Sequence, residues 1–180
     1  MGEKTYLINE IFYSIQGEAT WAGAPSVFVR FSKCNLACPW CDTDFKNGEP
    51  MTGQQILDRV DELVGKTATK CNLVFTGGEP SLQLDEALVS LAAIRGYFTC
   101  IETNGTRNVD GLGLDWITLS PKEPFKLEQH LANEVKLVSC YIDHIPELEK
   151  QIQCNNWFLQ PLADGTQWIG SEIQRCIAWV

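Results

Sequence analysis

Six short apolar runs, each ending in a polar or glycine-bearing segment, constrain this chain more than any other feature. They are Val27–Phe31, Asn72–Phe75, Tyr97–Ile101, Trp116–Leu119, Val135–Val138 and Trp157–Leu159. β-Branched and aromatic residues dominate them and turn or polar residues bound them, the pattern of buried strands. An earlier stretch, Tyr6–Ile15, is expected to pair at a sheet edge. Helical patterns lie between the runs. Thr52 with Gln55 forms a capping-box signature, and Ile56, Val60, Leu63 and Val64 then share one helix face. Asp85–Arg95 repeats the pattern through Leu88, Leu91, Ala92 and Ile94, and Gly96 closes it. Ser171 with Gln174 predicts the start of a last helix, and Pro146–Ile152 a further short one.

Strands alternating with helices imply an α/β fold whose parallel sheet has right-handed crossovers. Only 13 residues separate Glu102 from Trp116, and they include Gly105, Gly111 and Gly113, too little chain for a full crossover helix. The expected fold is therefore an incomplete (partial) parallel β/α barrel of about six strands with fewer helices. With no repeat, low-complexity tract or linker, residues 1–180 read as a single domain. The polar segments follow a rule. Cys34–Thr43 succeeds the first run, Thr76–Pro80 the second, Glu102–Gly105 the third, Ser120–Lys122 the fourth and Gln160–Pro161 the sixth. In parallel α/β barrels and sheets the active site lies at the C-terminal strand ends, so these segments describe one rim.

Charge narrows the chemistry. A net charge of −9 argues against a nucleic-acid surface, which needs a basic stripe to displace phosphate counterions, and against membrane binding. No apolar run reaches the ~18–20 residues of a membrane span. The acid-bearing N-terminus does not read as a secretory signal, so the expected location is cytoplasmic. Eight cysteines in a reducing compartment point to metal or redox chemistry rather than to disulfides.

Three of those cysteines, Cys34, Cys38 and Cys41, form C-x3-C-x2-C. Three thiolates this close can converge on one side of an iron–sulfur cube, leaving a fourth iron open, and Pro39 opposes a regular helix that would splay them. A structural zinc site wants four ligands, often as two C-x2-C pairs, and no second pair exists. Zinc with a distant fourth ligand and three unliganded thiols are the competing readings. Cys71, Cys100 and Cys140, in or beside predicted strands, read as small buried residues.

The C-x3-C-x-aromatic-C pattern, with Trp40 as the aromatic residue, resembles the radical S-adenosylmethionine superfamily, as does Gly77-Gly-Glu-Pro80 at the next strand end. That resemblance implies a 4Fe–4S cluster on the three cysteines and S-adenosylmethionine on the open iron. Phe12-Tyr-Ser-Ile-Gln-Gly-Glu18, Gly23-Ala-Pro25, Phe28-Val-Arg30 and Cys41-Asp-Thr43 are similar, in order, to the 7-carboxy-7-deazaguanine synthase family, over roughly Asn9 to Gln160. Members of that family contract 6-carboxy-5,6,7,8-tetrahydropterin to 7-carboxy-7-deazaguanine with loss of ammonia, on the route to queuosine and related deazapurines.

The resemblance places residues position by position. Ile15, Gln16, Gly17, Arg30 and Thr76 match pterin-binding positions, with Arg30 suited to a bidentate pair with the substrate carboxylate. An edge-strand surface charge is the plainer account of Arg30. Trp40, Cys41, Asp42, Gly78, Ser120, Pro121, Lys122, Gln160, Pro161, Leu162 and Ala163 match adenosylmethionine contacts, and Glu79 belongs to the motif that meets its amino group. Thr103 and Asn104 match positions near its ribose, or serve as turn residues. Thr43 matches a hydroxyl that coordinates Mg²⁺, which favours oxygen ligands, or it caps the turn after Asp42. The cofactors carry the chemistry, so no catalytic side chain is implied. The implied partners are the pterin substrate, an external flavodoxin- or ferredoxin-like electron donor and a second copy of the chain in a homodimer.

Two glycines of the family pattern are replaced here by Ala19 and Lys33, and many relatives continue past the final helix into a His-containing tail. Two other functions compete with the synthase: a small radical activase acting on a protein, and a non-catalytic metal-binding homologue.

Overall fold

The computed structural model describes residues 3–65, 71–122, 126–164 and 167–180. In chain order the elements are strands β1 (Thr5–Ile15), β2 (Pro25–Phe31) and β3 (Glu49–Thr52), helix α1 (Gly53–Val64), strand β4 (Asn72–Gly77) and helix α2 (Glu86–Ile94). There follow strands β5 (Phe98–Thr103), β6 (Trp116–Leu119) and β7 (Glu134–Val138), helix α3 (Ile145–Leu148) and strand β8 (Trp157–Gln160). The two-residue strands β9 (Ala163–Asp164) and β10 (Gln167–Trp168) and helix α4 (Gly170–Trp179) complete the order. The main sheet runs β3-β1-β2-β4-β5-β6-β7-β8, and β9 pairs only with β10. From β2 to β8 all pairings are parallel, so these six strands end on one rim. The sheet stays open, and no full helix joins β5 to β6. Among the described residues no helix is long and apolar enough to cross a membrane.

The two faces of this sheet differ. On the outer face Val27, Val29, Phe31, Leu73, Phe75 and Ile101 pack against Ile56, Leu57 and Val60 of α1 and Leu88, Val89 and Ala92 of α2. A second core gathers Leu119, Val135 and Leu137 under Ile142, Ile145 and Leu148, with Cys176 from α4. Each large side chain fully buried here contributes about 1.5–3 kcal/mol. The inner face is layered. Its lower row, Phe28, Val74, Cys100 and Trp116, is apolar and lies in register across four strands. Trp21, in the β1–β2 connection, lays its indole edgewise on Phe98 and Trp116, with centroids 5.4 and 5.2 Å away, and makes a floor. Two residues up each strand the row becomes polar: Arg30 pairs with Thr76, Glu102 with Thr118, and Thr118 with Glu134.

Local signals fix the helix starts. The capping box is complete, since Gln55 N–H donates to Thr52 Oγ1 at 3.2 Å and Thr52 N–H donates to Gln55 Oε1 at 2.8 Å. Asp85 caps α2 by accepting from Leu88 N–H at 3.1 Å, and also accepts from Tyr6 Oη at 2.7 Å. Burial opposes its charge, but Lys4, Tyr6 and the Leu88 N–H outweigh that and hold its carboxyl below the usual value.

Two expectations need correction. Tyr6–Ile15 is not the sheet's edge along its whole length, because β3 covers Thr5–Ile8 from outside. β3 reads Glu-Pro-Met-Thr, too short to show alternation, and its Pro suits an outer strand. The last helix starts at Gly170 with Ile169 as its cap and no side-chain cap bond, so the Ser171–Gln174 box does not form. A tertiary contact sets that start instead, as Ser139 Oγ donates to Glu172 in the first turn.

Asp85→Ala removes the cap and the Tyr6 acceptor together and is expected to cost about 1–2 kcal/mol in urea unfolding. Because the folded state holds Asp85 ionised, its contribution is present above the ordinary carboxylate range and is lost as pH falls through the lowered folded value. The gap between wild type and variant therefore narrows on acidification. A gap that widened toward low pH would contradict this account.

Candidate active site

The strand ends are stitched together in sequence order. Gly78 N–H donates to Phe31 O at 3.0 Å and Glu79 N–H to Lys33 O at 2.9 Å, joining the end of β4 to the start of the cysteine loop. Two glycines are needed for that approach. A Cβ on Gly77 would stand 2.2 Å from Phe31 O, and one on Gly78 would stand 2.1 Å from Lys33 O. Gly77 also has φ +141°, in the region that disfavours side chains. Glu79, 1% exposed, then turns its carboxylate to β5, accepting from Thr103 Oγ1 and from Asn104 N–H, both at 2.7 Å, and from Ser81 N–H at 3.0 Å. Asn104 Nδ2 donates to Asn35 of the cysteine loop at 3.2 Å, and Ser120 N–H donates to Thr103 O at 2.8 Å.

The cysteine loop crosses this rim. Leu36 N–H donates to Cys34 Sγ at 3.4 Å, and Cys41 N–H donates to Cys38 O at 3.2 Å. Burial pushes the Cys34 and Cys38 thiols up, and neighbouring thiols of the same loop push in the same direction. Among the described residues no three His, Cys, Asp or Glu side chains form a ready metal cage. The donor set nevertheless fits an iron–sulfur cube: three soft thiols from one loop, with the backbone behind Cys34 clamped by the two glycines. Trp40 lies between Lys122, whose Nζ is 5.2 Å from the ring centroid, and Tyr141, at 6.0 Å between centroids. Lys122 Nζ also donates to Ser120 O at 3.0 Å, and burial pushes its pKa down to about 8.

A second polar region occupies the inner face. Glu102 accepts from Gln16 Nε2 at 3.1 Å, Thr76 Oγ1 at 3.0 Å and Lys136 Nζ at 2.8 Å. Burial works against its ionised form, but Lys136, Thr76 and Gln16 prevail and hold its carboxyl below the usual range. Lys136 also donates to Glu18 at 2.7 Å, and Glu18 accepts from Gln160. Lys136 is pushed up, since Glu102 and Glu18 outweigh its burial. Thr20 N–H donates to Glu134 at 3.1 Å, so the β1–β2 connection is tied down at alternate residues, Gln16, Glu18 and Thr20.

Beside this network Arg30 Nε donates to Glu10 at 2.6 Å, leaving both Nη groups without a protein acceptor among the described residues. Glu10 stands directly opposite Arg30 in the β1–β2 pairing, beside a register shift between Ile8 and Glu10. Arg30, Glu10, Asn9, Asp42, Thr43 and Asp44 line a depression of about 380 Å³. Thr43 Oγ1 donates to Asp42 Oδ1 at 3.2 Å on the wall of that depression.

Most expected site residues thus meet on one rim, in two groups. Trp40, Cys41, Asp42, Gly78, Ser120 and Lys122 lie in or beside the cysteine loop, while Arg30 and Thr76 lie on the polar row of the inner face and Gln16 is bonded to it through Glu102. Ile15 points outward at 66% exposure, and Leu162 N–H is held by Ser139 Oγ at 3.0 Å. Glu79 serves as a clasp within the protein, and its three bonds tie Ser81, Thr103 and Asn104 to one carboxylate. Sequence reasoning missed Glu18, Glu102 and Lys136 as one unit. The signal was a charged residue inside an apolar strand, the same one that singled out Arg30.

The chain matches the family model described as the radical SAM superfamily over residues 28–143. It is 43% identical over 154 residues to the 7-carboxy-7-deazaguanine synthase of Bacteroides thetaiotaomicron, covering 86% of this chain and 80% of that protein. It is 40% identical over 167 residues to the enzyme of the same name from Haemophilus influenzae, covering 88% and 76%. The crystal structure of QueE from Escherichia coli superposes with a TM-score of 0.76 at 26% identity, over 97% of this chain and 88% of that one.

Ala19 and Lys33 are the non-glycine residues with positive φ among those described, at 58° and 74°. These are the two positions where the family pattern carries glycine, so the backbone has kept a glycine conformation under other side chains. Ala19→Gly and Lys33→Gly are each expected to raise unfolding free energy by roughly 0.5–1 kcal/mol, the left-handed penalty less the entropy that glycine adds to the unfolded chain. Gly78→Ala is expected to fold while losing most reconstituted iron, measured by iron content and visible absorbance. Full iron loading of Gly78→Ala would refute the clamp.

Proposed function

This chain belongs to the radical S-adenosylmethionine superfamily and, within it, to the 7-carboxy-7-deazaguanine synthase family, and on that premise we propose that it contracts 6-carboxy-5,6,7,8-tetrahydropterin to 7-carboxy-7-deazaguanine with release of ammonia. The observation that carries the reading is the shared rim. The Gly77-Gly-Glu79 strand end clamps the cysteine loop from one side. On the other, Arg30 lines a depression with Asp42 and Thr43 of that loop, and Thr76, its neighbour on β4, shares Glu102 with Gln16.

Cys34, Cys38 and Cys41 would hold the 4Fe–4S cluster, the strand ends at Gly78, Ser120–Lys122 and Gln160–Ala163 would hold adenosylmethionine, and Thr43 would hold Mg²⁺. When bound, these groups supply hydrogen-atom abstraction from the substrate and positive charge at its carboxylate. The protein's own work is placement. Arg30 offers its free Nη groups to the substrate carboxylate, and Glu10 fixes the guanidinium plane through Nε. Thr76 and Gln16 are aimed by Glu102, so their remaining polar atoms face the ring from fixed directions. Trp21, Phe98 and Trp116 close the chamber floor and keep water from the reacting ring. No nucleophile is required, and His130 and His144 have no part in it.

The single-domain arrangement, a cytoplasmic location, a flavodoxin- or ferredoxin-like electron donor and a homodimer complete the proposal. The exposure of Cys41 supports close approach of a donor. The exposed Ile177 and Trp179 of the last helix support burial against a second copy.

With the cluster reconstituted anaerobically, the protein given adenosylmethionine, Mg²⁺, a reductant and 6-carboxytetrahydropterin is expected to form 7-carboxy-7-deazaguanine, identified by mass spectrometry. Cys38→Ala is expected to abolish 5′-deoxyadenosine formation. Arg30→Met is expected to keep cluster loading while lowering kcat/KM for the pterin about 10–100-fold, the worth of a charge-assisted hydrogen bond. 5′-Deoxyadenosine without the deazaguanine would sink the substrate assignment.

A further inference from the structure

The inner face carries more charge than substrate binding at Arg30 explains. Lys136 is 7% exposed, in a five-residue strand whose residues are all buried. A buried ion pair adds little net stability, because desolvation of the charges offsets their attraction. The partners of Lys136 are therefore informative. Its Nζ donates at 2.7 Å to Glu18, on the β1–β2 connection, and at 2.8 Å to Glu102, at the end of β5. Glu102 in turn accepts from Gln16 and Thr76. Glu18 accepts from Gln160 at the end of β8. One ammonium thus joins three segments that are remote in sequence, and the residues at the ends of its arms are ones assigned above to pterin and to adenosylmethionine.

We infer that Lys136 is a positioning residue: through Glu18 and Glu102 it holds the Gln16–Glu18 segment against the inner wall, so that the substrate lies in one orientation relative to the adenosylmethionine side of the rim. The inference rests on the assignment of the inner chamber to the pterin. Without the ammonium, Glu102 is left largely buried with no counter-charge and the half-exposed Glu18 faces it as a second carboxylate. Their repulsion drives the Gln16–Glu18 segment outward and turns the Gln16 amide and Thr76 hydroxyl from their set directions. A misplacement of about 1 Å in such a site lowers the productive fraction by as much as 10²-fold. Loss of aim, rather than loss of the radical step, is the specific consequence.

The test compares Lys136→Met, Lys136→Arg and Glu18→Gln with wild type in the full chain. Binding of fluorescent 6-carboxypterin is titrated without turnover, and 5′-deoxyadenosine and deazaguanine are counted in turnover. Lys136→Met is expected to load iron as wild type does, to bind the pterin about tenfold more weakly, and to release several 5′-deoxyadenosines per product. Lys136→Arg is expected to recover part of both losses. Glu18→Gln, at a half-exposed carboxylate, is expected to shift the same two readouts by about threefold and serves if Lys136→Met does not fold. Pterin affinity and coupling within about twofold of wild type in the folding variants would overturn the inference, as would equal loss of iron, adenosylmethionine and pterin binding. A wild-type protein that makes no deazaguanine refutes the functional reading instead, and the two failures are told apart by that control.

Discussion

The contact on which the rest depends is backbone against backbone, where the end of β4 meets the start of the cysteine loop. The Phe31 and Lys33 carbonyls approach Gly77 and Gly78 closely enough that a methyl group on either glycine would overlap a carbonyl oxygen. From that join Glu79 reaches β5, Asn104 reaches back to Asn35, and Ser120 attaches to Thr103. A parallel sheet alone brings strand ends to a common edge. The buried carboxylate of Glu79 turns that edge into a fixed ring of donors and acceptors, since an unpaired charge at that depth would cost several kcal/mol.

The inner chamber answers a different constraint. The outer face is mostly apolar and packs as an ordinary core, whereas the inner face changes from an apolar row to a polar row within two residues on β2, β4, β5 and β6. The apolar row and Trp21 supply stability and exclude water. The polar row carries buried charge that stability alone would not favour. Separating these tasks by height lets the same strands provide a sealed floor and a charged wall.

How much of this could be read from the sequence follows from the range of the signals. The six parallel strands were legible because buried strands show as apolar runs, and the rim was legible because parallel strands place their following segments together. α1 and α2 were legible in detail, down to Thr52 and Asp85, since caps act over three residues. β3 was not, because four residues with a proline carry no periodicity and are held only by pairing with β1. The Ser171 box failed because Glu172 bonds Ser139, more than thirty positions away. The Lys136 hub escaped for the same reason: a lone lysine in Val-Lys-Leu-Val names no partner, and its partners become visible only when the sheet is assembled.

The span of those contacts has a consequence for the order of events during synthesis. Glu18 and Lys136 are 118 positions apart, and Glu18 and Gln160 are 142 apart. The inner network therefore cannot close until β7 and β8 have left the ribosome. Until then Glu18, Glu102 and the parallel edges of β4 to β6 stand open to water and to other chains, in a topology of long-range pairings that folds slowly. The thiols of Cys34, Cys38 and Cys41, by contrast, are translated by residue 41 and lie within one loop. The cysteine loop is thus complete before the Gly77–Glu79 strand end that clamps it and long before the inner wall beside it, so a metal arriving early in synthesis meets an unclamped loop. Efficient maturation of this protein accordingly favours iron delivery after β7 and β8 have joined the sheet.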